Sequence, residues 1–133
     1  MKLTTKSEYS ILALLYMARH EREGFIKIDK ICSHCDIPRK YLELLLNSLR
    51  QNRYIKTRRG TAGGYNLARQ ANQITIAEIV RLMDGALAPT ESVSQFFYNN
   101  TPLSKEPSLL KILKEIRDYI ASRLEKVTLA DLV

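Results

Sequence analysis

Few residues in this chain are of types, and at spacings, that do chemistry. Cys32 and Cys35 stand three apart with His34 beside them, a Cys-x-x-Cys pair of the kind that binds zinc or cycles through a disulfide. No second pair follows, and redox pairs of this form belong to βαβ units, whereas these two lie in a helix-like stretch. They read first as helix residues, with Cys32 packed inward as a small hydrophobe and His34 facing out. His20 and His34 are the only histidines. No Ser-His-Asp set, His-Glu-x-x-His helix or glycine fingerprint opening a βαβ unit is present, so the pattern predicts a protein that is not an enzyme.

The segment Arg58-Arg59-Gly60-Thr61-Ala62-Gly63-Gly64 is more informative. Its glycines, Gly60, Gly63 and Gly64, permit positive φ and let the backbone approach a groove or phosphate closely, and the two guanidiniums suit phosphate contact. A nucleotide-phosphate cradle would need Gly-x-x-x-x-Gly-Lys-Ser/Thr between a strand and a helix; this turn joins two predicted strands and has neither that lysine nor that hydroxyl. By itself it is equally a tight hairpin with solvated arginines. Its position after the helical segments described next favours contact with DNA.

The elements that position these residues are mainly helical. Tyr9, Ile11, Leu12, Leu14, Leu15, Tyr16 and Met17 surround most of a predicted helix from Thr5 to His20, capped by Thr4 or Thr5, which implies a helix buried in the middle of the fold. After Gly24, Ile28, Ile31 and Cys32 line a second helix of about two turns, ended by Asp36 ahead of Pro38. Pro38 opens a third, on which Tyr41, Leu42, Leu45, Leu46 and Leu49 recur at helical spacing while Arg39 and Lys40 stand exposed at its start. Two helices and a tight turn behind a core helix make a helix-turn-helix. Tyr54–Arg58 and Tyr65–Ala68 read as strands around the glycine turn, so a β-wing completes a winged helix.

Charge follows the same division. The 133 residues carry 21 Lys+Arg and 14 Asp+Glu, a net charge of +7. Residues 1–70 hold 14 basic against 6 acidic side chains and residues 71–133 hold 7 against 8. A basic excess confined to one half is a directed footprint for a polyanion such as double-stranded DNA. The longest uncharged apolar run, Ile11 to Ala18, is well short of the roughly 20 residues of a membrane helix, so no membrane partner is expected. The charges of Glu8 and Arg19–Glu23 do not fit a leader peptide, and two cysteines cannot staple a secreted scaffold; a cytoplasmic protein is expected.

Beyond a short helix capped at Thr75 and stopped at Gly85, residues 86–107 read as a long loop holding Phe96, Phe97 and Tyr98, which could line an effector pocket, form a patch for a regulatory protein, or pack over the next helix. Leu109, Ile112, Leu113, Ile116, Tyr119, Ile120, Leu124 and Val127 then mark a helix of about 28 Å. With no second apolar layer evident, a second copy of the chain is its expected cover through Leu109, Ile112, Leu113, Ile116, Tyr119, Ile120 and Leu124. The expected fold is mainly α with a small β-wing: a winged helix-turn-helix domain at 1–85, a possible sensor loop at 86–107, and a dimerisation helix and tail at 108–133.

Met1-Lys2-Leu3-Thr4-Thr5-Lys6 with Tyr9, Ile37-Pro38-Arg39-Lys40-Tyr41-Leu42-Glu43, Arg59-Gly60-Thr61-Ala62-Gly63-Gly64-Tyr65 and Thr128-Leu129-Ala130-Asp131-Leu132-Val133 closely resemble the Rrf-two family of bacterial regulators, of the IscR, NsrR and CymR types. The resemblance spans nearly the whole chain. It implies a homodimeric winged-helix transcription factor, a repressor, whose third helix enters the major groove and whose wing touches the flanking minor groove or backbone of a palindromic operator. The DNA-reading positions it implies are Lys2, Arg39, Lys40, Tyr41, Glu43 and Leu44, with Arg58, Arg59, Gly60, Gly63 and Gly64 on the wing. Lys40 suits guanine or phosphate, Glu43 cytosine N4 and Tyr41 a phosphate. Leu44 stands where the family often has a polar residue; it suits a thymine methyl or simply the core.

The sensor region departs from the family. Cluster-binding relatives place three cysteines in the loop before the long helix; here that loop has none, and Glu91-Ser92-Val93 stands where a Glu-Cys-Val-like start is implied. Serine is a poor substitute for thiolate on iron, so no cofactor is expected. Glu8, at a carboxylate position that assists some members' clusters, has no cysteine partners there. Two other readings remain: a redox or metal sensor using Cys32 and Cys35, and a basic protein-interaction module in which the wing is incidental.

Overall fold

Thr4 opens the first helix. Its hydroxyl accepts the backbone N–H of Lys6 at 3.2 Å, and α1 runs from Thr5 to Arg19. In this computed structural model, which describes residues 1–133, α2 (Ile28–Cys35) and α3 (Arg39–Gln51) follow, then strands β1 (Ile55–Arg58) and β2 (Gly64–Leu67), α4 (Ile76–Asp84) and α5 (Pro107–Lys126). The strands pair antiparallel from Ile55 opposite Leu67 to Arg58 opposite Gly64. Mainly helical structure with one two-stranded wing is the winged-helix architecture expected from the sequence.

Each boundary has a local cause. Asp36 adopts the left-handed conformation (φ 55°) and ends α2, as a short polar side chain can. Pro38 precedes α3 as its cap residue rather than lying in the first turn, and it supplies no side-chain cap. Thr75 and Glu78 form a reciprocal capping box at the start of α4, and Gly85 (φ 86°) stops it.

The core joins α1, α3, α4 and the strands through Leu14, Met17, Leu42, Leu46, Leu49, Ile55 and Ile79. α1 is not buried evenly around its circumference as its apolar residues suggest. Ser7 and Ser10 are fully buried while Leu12 is 42% exposed, because small residues occupy the side where other segments press closest. Ser7 escapes the cost of an unpaired hydroxyl by donating to Asp84 Oδ2 at 2.6 Å. Thr4 donates to the same carboxylate through its N–H (2.8 Å) and its hydroxyl (2.5 Å). Desolvation pushes the Asp84 carboxyl upward, but the hydrogen bonds from Ser7 and Thr4 outweigh it and hold the group below its ordinary value. The end of α4 thereby fixes the start of α1.

The apolar stripe of α5 divides between two faces. Ala121 is buried and Ile120 and Leu124 pack partly against the chain's own core, whereas Leu109, Ile112, Ile116 and Tyr119 face outward. Arg81 of α4 pairs with Glu125 at 2.7 Å, and Arg117 donates to the Val93 carbonyl of the preceding loop at 2.9 Å. After α5 the chain returns to the core: Leu129 is fully buried and its N–H donates to the Ile74 carbonyl at 3.0 Å. An apolar layer for one side of α5 thus exists within the chain, contrary to the sequence expectation, and the other side is left uncovered.

Candidate nucleic-acid interface

The first turn of α3 holds Arg39 and Lys40 and no acidic residue, which leaves the positive end of the helix dipole uncompensated by its own side chains. Lys40, Glu43 and Leu44 are exposed on α3, Leu44 at 70%. That exposure removes core packing as the explanation for Leu44, because Leu42, Leu45, Leu46 and Leu49 supply the buried face. Tyr41 is half-buried. Its ring meets Tyr9 edge-on at 5.6 Å and its hydroxyl lies 3.3 Å from Thr5 Oγ1, so it braces α3 against α1.

Arg39 does not stand free. Its Nη1 donates to Asp29 Oδ1 on α2 at 2.5 Å and its Nε to Glu43 Oε1 one turn later at 3.2 Å. The hydrogen bond to Glu43, then the charge of Asp29, make its guanidinium hold its proton more tightly than usual. Sequence reasoning passed over Asp29, since an exposed acid in the first turn of a helix is ordinary.

The wing is built by close backbone approach. Gly60 turns the chain with φ 99°. A Cβ on Gly64 would lie 2.3 Å from the Ile26 carbonyl oxygen, where residue 26 pairs with Tyr65 through two 2.8 Å hydrogen bonds. Gly63 does not use positive φ, as the sequence reading allowed; it is needed because a Cβ would meet the Arg58 carbonyl at 2.1 Å. Lys27 donates to the Gly60 carbonyl at 3.0 Å, and the Arg58 guanidinium lies over the Phe25 ring at 5.0 Å. Arg59, beside it, is exposed. Phe25 and Lys27 belong to the wing's support and were not singled out by motif, because each lies 33 residues before the wing residue it touches. Lys2 is exposed at a polar cleft of about 560 Å³ that Thr4, Asp84, Ala88, Glu91 and Thr101 also line.

The other candidates lie elsewhere. Phe96, Phe97 and Tyr98 are exposed, Phe96 beneath the Arg81 guanidinium at 4.9 Å. Beside Phe96 and Phe97 there is a crevice of only about 10 Å³, so in the single chain they line no effector-sized pocket. Cys32 and Cys35 are partly buried on α2, and Cys35 Sγ donates to the Leu12 carbonyl at 3.8 Å. Desolvation pushes both thiols above their ordinary values, joined by the charge of Asp29 at Cys32 and by Cys32 itself at Cys35, the direction that disfavours a reactive or metal-binding thiolate. His34 is exposed and its ring centroid lies 4.9 Å from that of Tyr16.

A family model described as "Rrf2: Iron-dependent Transcriptional regulator" matches residues 3–133. A Mycobacterium tuberculosis protein named "Putative HTH-type transcriptional regulator Rv1287" is 33% identical over 132 residues, covering 98% of this chain and 80% of that protein. The HTH-type transcriptional regulator CymR of Bacillus subtilis is 30% identical over 132 residues, covering 99% of this chain and 89% of its own. The solved structure of CymR (YrzC), the global cysteine regulator of B. subtilis, superposes with a TM-score of 0.85 at 28% identity, covering 99% of this chain and 95% of that one. These relatives are regulators rather than enzymes.

The residues present do not fit the iron of the family description. No group of three or more His, Cys, Asp or Glu side chains converges to hold a metal. The loop before α5 instead joins hydroxyls: Thr101 donates to Ser92 at 3.1 Å, Ser92 lies 3.5 Å from the Thr90 hydroxyl, and Ser104 accepts the Thr101 N–H at 3.2 Å. Neutral hydroxyls are weak iron ligands. With or without the metal, 131 consecutive residues match the family model, and the chain belongs to the Rrf2 family of transcriptional regulators.

Proposed function

We propose that this protein is a cytoplasmic, sequence-specific DNA-binding regulator that acts as a homodimer on a palindromic operator, represses by occupying it, and works without an iron–sulfur cluster. The observation that carries the reading is the joint exposure of Lys40, Glu43 and Leu44 on α3 and of Arg58 and Arg59 on the wing, in the half of the chain that holds the basic excess. α3 supplies the side chains that reach base edges, Lys40 to guanine or phosphate and Glu43 to cytosine, with Leu44 against a thymine methyl. Arg58, Arg59 and the glycines approach the backbone or minor groove, and Lys2 adds a further contact. Tyr41 acts chiefly by holding α3 in place.

The uncovered face of α5, with Leu109, Ile112, Ile116 and Tyr119 outward, supports dimerisation through that helix, Leu113, Ile120 and Leu124 lying at its margin. Residues 86–107 form the control region between the DNA-binding domain, 1–85, and the dimer element, 108–133. Exposure of Phe96, Phe97 and Tyr98 favours a patch for a partner over a closed small-molecule pocket.

Footprinting the purified protein on genomic DNA tests the reading. Two protected half-sites about one or more helical turns apart, in inverted repeat, are expected, with reporter expression falling when the protein is present. Protein purified without oxygen is expected to be colourless and to bind equally with or without reductant. Stoichiometric iron and sulfide that control binding would overturn the cluster-free part, and no protection at any site would overturn the whole.

A further inference from the structure

An arginine at the first position of a helix faces the positive end of the dipole, and Arg39 occupies that position on α3. Its guanidinium bends toward α2 and the next turn of α3. One edge of the fork meets Asp29 on α2 at 2.5 Å and the Nε meets Glu43 at 3.2 Å. Two of its five N–H groups are thereby committed, and a guanidinium tethered at two points is less free than an unpaired one to swing onto a guanine.

Glu43 is the counterpart. A carboxylate brought into a polyanionic groove is repelled unless a cation accompanies it. With Oε1 held by Arg39, the other oxygen remains to accept from a cytosine amino group. Asp29 contributes by position: it lies on the neighbouring helix and draws the guanidinium toward α2. The side chains are half or more exposed, 56% for Arg39, 72% for Asp29 and 50% for Glu43. Exposed ion pairs of this kind shift equilibria by about fivefold at most. The clamp therefore biases a choice and does not lock it.

We infer that Asp29 is a specificity-setting positioning residue, which holds Arg39 against Glu43 so that the base pair facing this turn of α3 is read by a carboxylate, as cytosine, and not by a guanidinium, as guanine. This rests on the proposal that α3 reads DNA.

The test is selection from a randomised duplex pool by the parent and by Asp29→Asn, Asp29→Glu, Glu43→Gln and the Asp29→Asn/Glu43→Gln pair, followed by titration of single-base variants of the selected site. Asp29→Asn is expected to lower the cytosine-over-guanine ratio at one position per half-site by about two- to fivefold. It also steepens the log–log salt dependence by up to about one unit, through the freed positive charge. Asp29→Glu restores the parent ratio, and Asp29→Asn has a smaller effect in the Glu43→Gln background, where no carboxylate is left to position. An unchanged base profile in Asp29→Asn, or an equal loss on every sequence, would overturn the inference and show a merely structural pair. A parent that selects no sequence would overturn the DNA-reading proposal itself, and this inference with it.

Discussion

In α3 every leucine except Leu44 turns into the core, whereas in α5 four large apolar residues, Leu109, Ile112, Ile116 and Tyr119, turn outward. Both helices are amphipathic, yet α3 has one finished face and leaves its charged side free, while α5 has two apolar sides of which the chain covers one. The charges divide with them, 14 basic to 6 acidic over residues 1–70 and 7 to 8 over residues 71–133. One core is shared along the chain, Leu129 lying in it with Leu14 and Ile79, but the winged-helix part offers charge to something outside. The α5 half offers apolar area, and that kind of surface is completed by another apolar surface.

The comparison breaks most easily at Ile116. Ile116→Glu places a carboxylate on the uncovered face, and burying it unpaired against a second copy costs about 3–5 kcal/mol. Sedimentation equilibrium should show the parent as a dimer and the variant as a folded monomer. A monomeric parent at micromolar concentration would remove the premise, and an undisturbed dimer would move the interface off this face.

A smaller effect is expected on the winged-helix side. Gly64→Ala forces a Cβ to within 2.3 Å of the Ile26 carbonyl, so the wing must part from residue 26, at about 1–3 kcal/mol by analogy with overpacked cores. Denaturant unfolding should show that loss while the dimer interface stays intact; an unaltered midpoint would mean the backbone gives way freely.

Asp84 sharpens the account of how the end of α4 holds the start of α1. Asp84→Asn exchanges three charge-assisted hydrogen bonds from Thr4 and Ser7 for weaker ones, a loss of about 1–2 kcal/mol. Because the folded carboxyl is held below its ordinary value, its contribution is complete above the unfolded pKa and disappears as pH falls through the lower folded one. The difference between parent and variant should therefore persist at neutral pH and close only under acid conditions. A gap that instead opened toward low pH would contradict the assigned direction.

Much of this was legible in the residue pattern, and what was not has physical causes. Apolar spacing located all five helices, and Thr75, Asp36 and Gly85 announced their boundaries, because caps and stops are local events. Burial around α1 departs from its apolar pattern: Leu12 is exposed and Ser7 and Ser10 are buried, since close helix packing selects small side chains and one hydroxyl borrows a distant carboxylate. The partial burial of Ile120 and Leu124, and the return of Leu129 to the core, depend on tertiary contacts that no periodicity shows. At the interface, α3 and the wing glycines stood out by motif. The supports Asp29, Phe25 and Lys27 did not, because an ion pair between helices or a ring beneath an arginine has no sequence signature.

The central claim is that α3 and the wing together hold DNA, and the most direct measurement is the salt dependence of operator binding for the parent, Lys40→Ala and Arg59→Ala. The account predicts a steep log–log slope in the parent, reduced by up to about one unit for each side chain that neutralises a phosphate. Affinity should be lost in both variants without loss of folding, with base preference altered more by Lys40→Ala than by Arg59→Ala. Variants that bind as tightly as the parent, with the same slope, would contradict the assignment of this face.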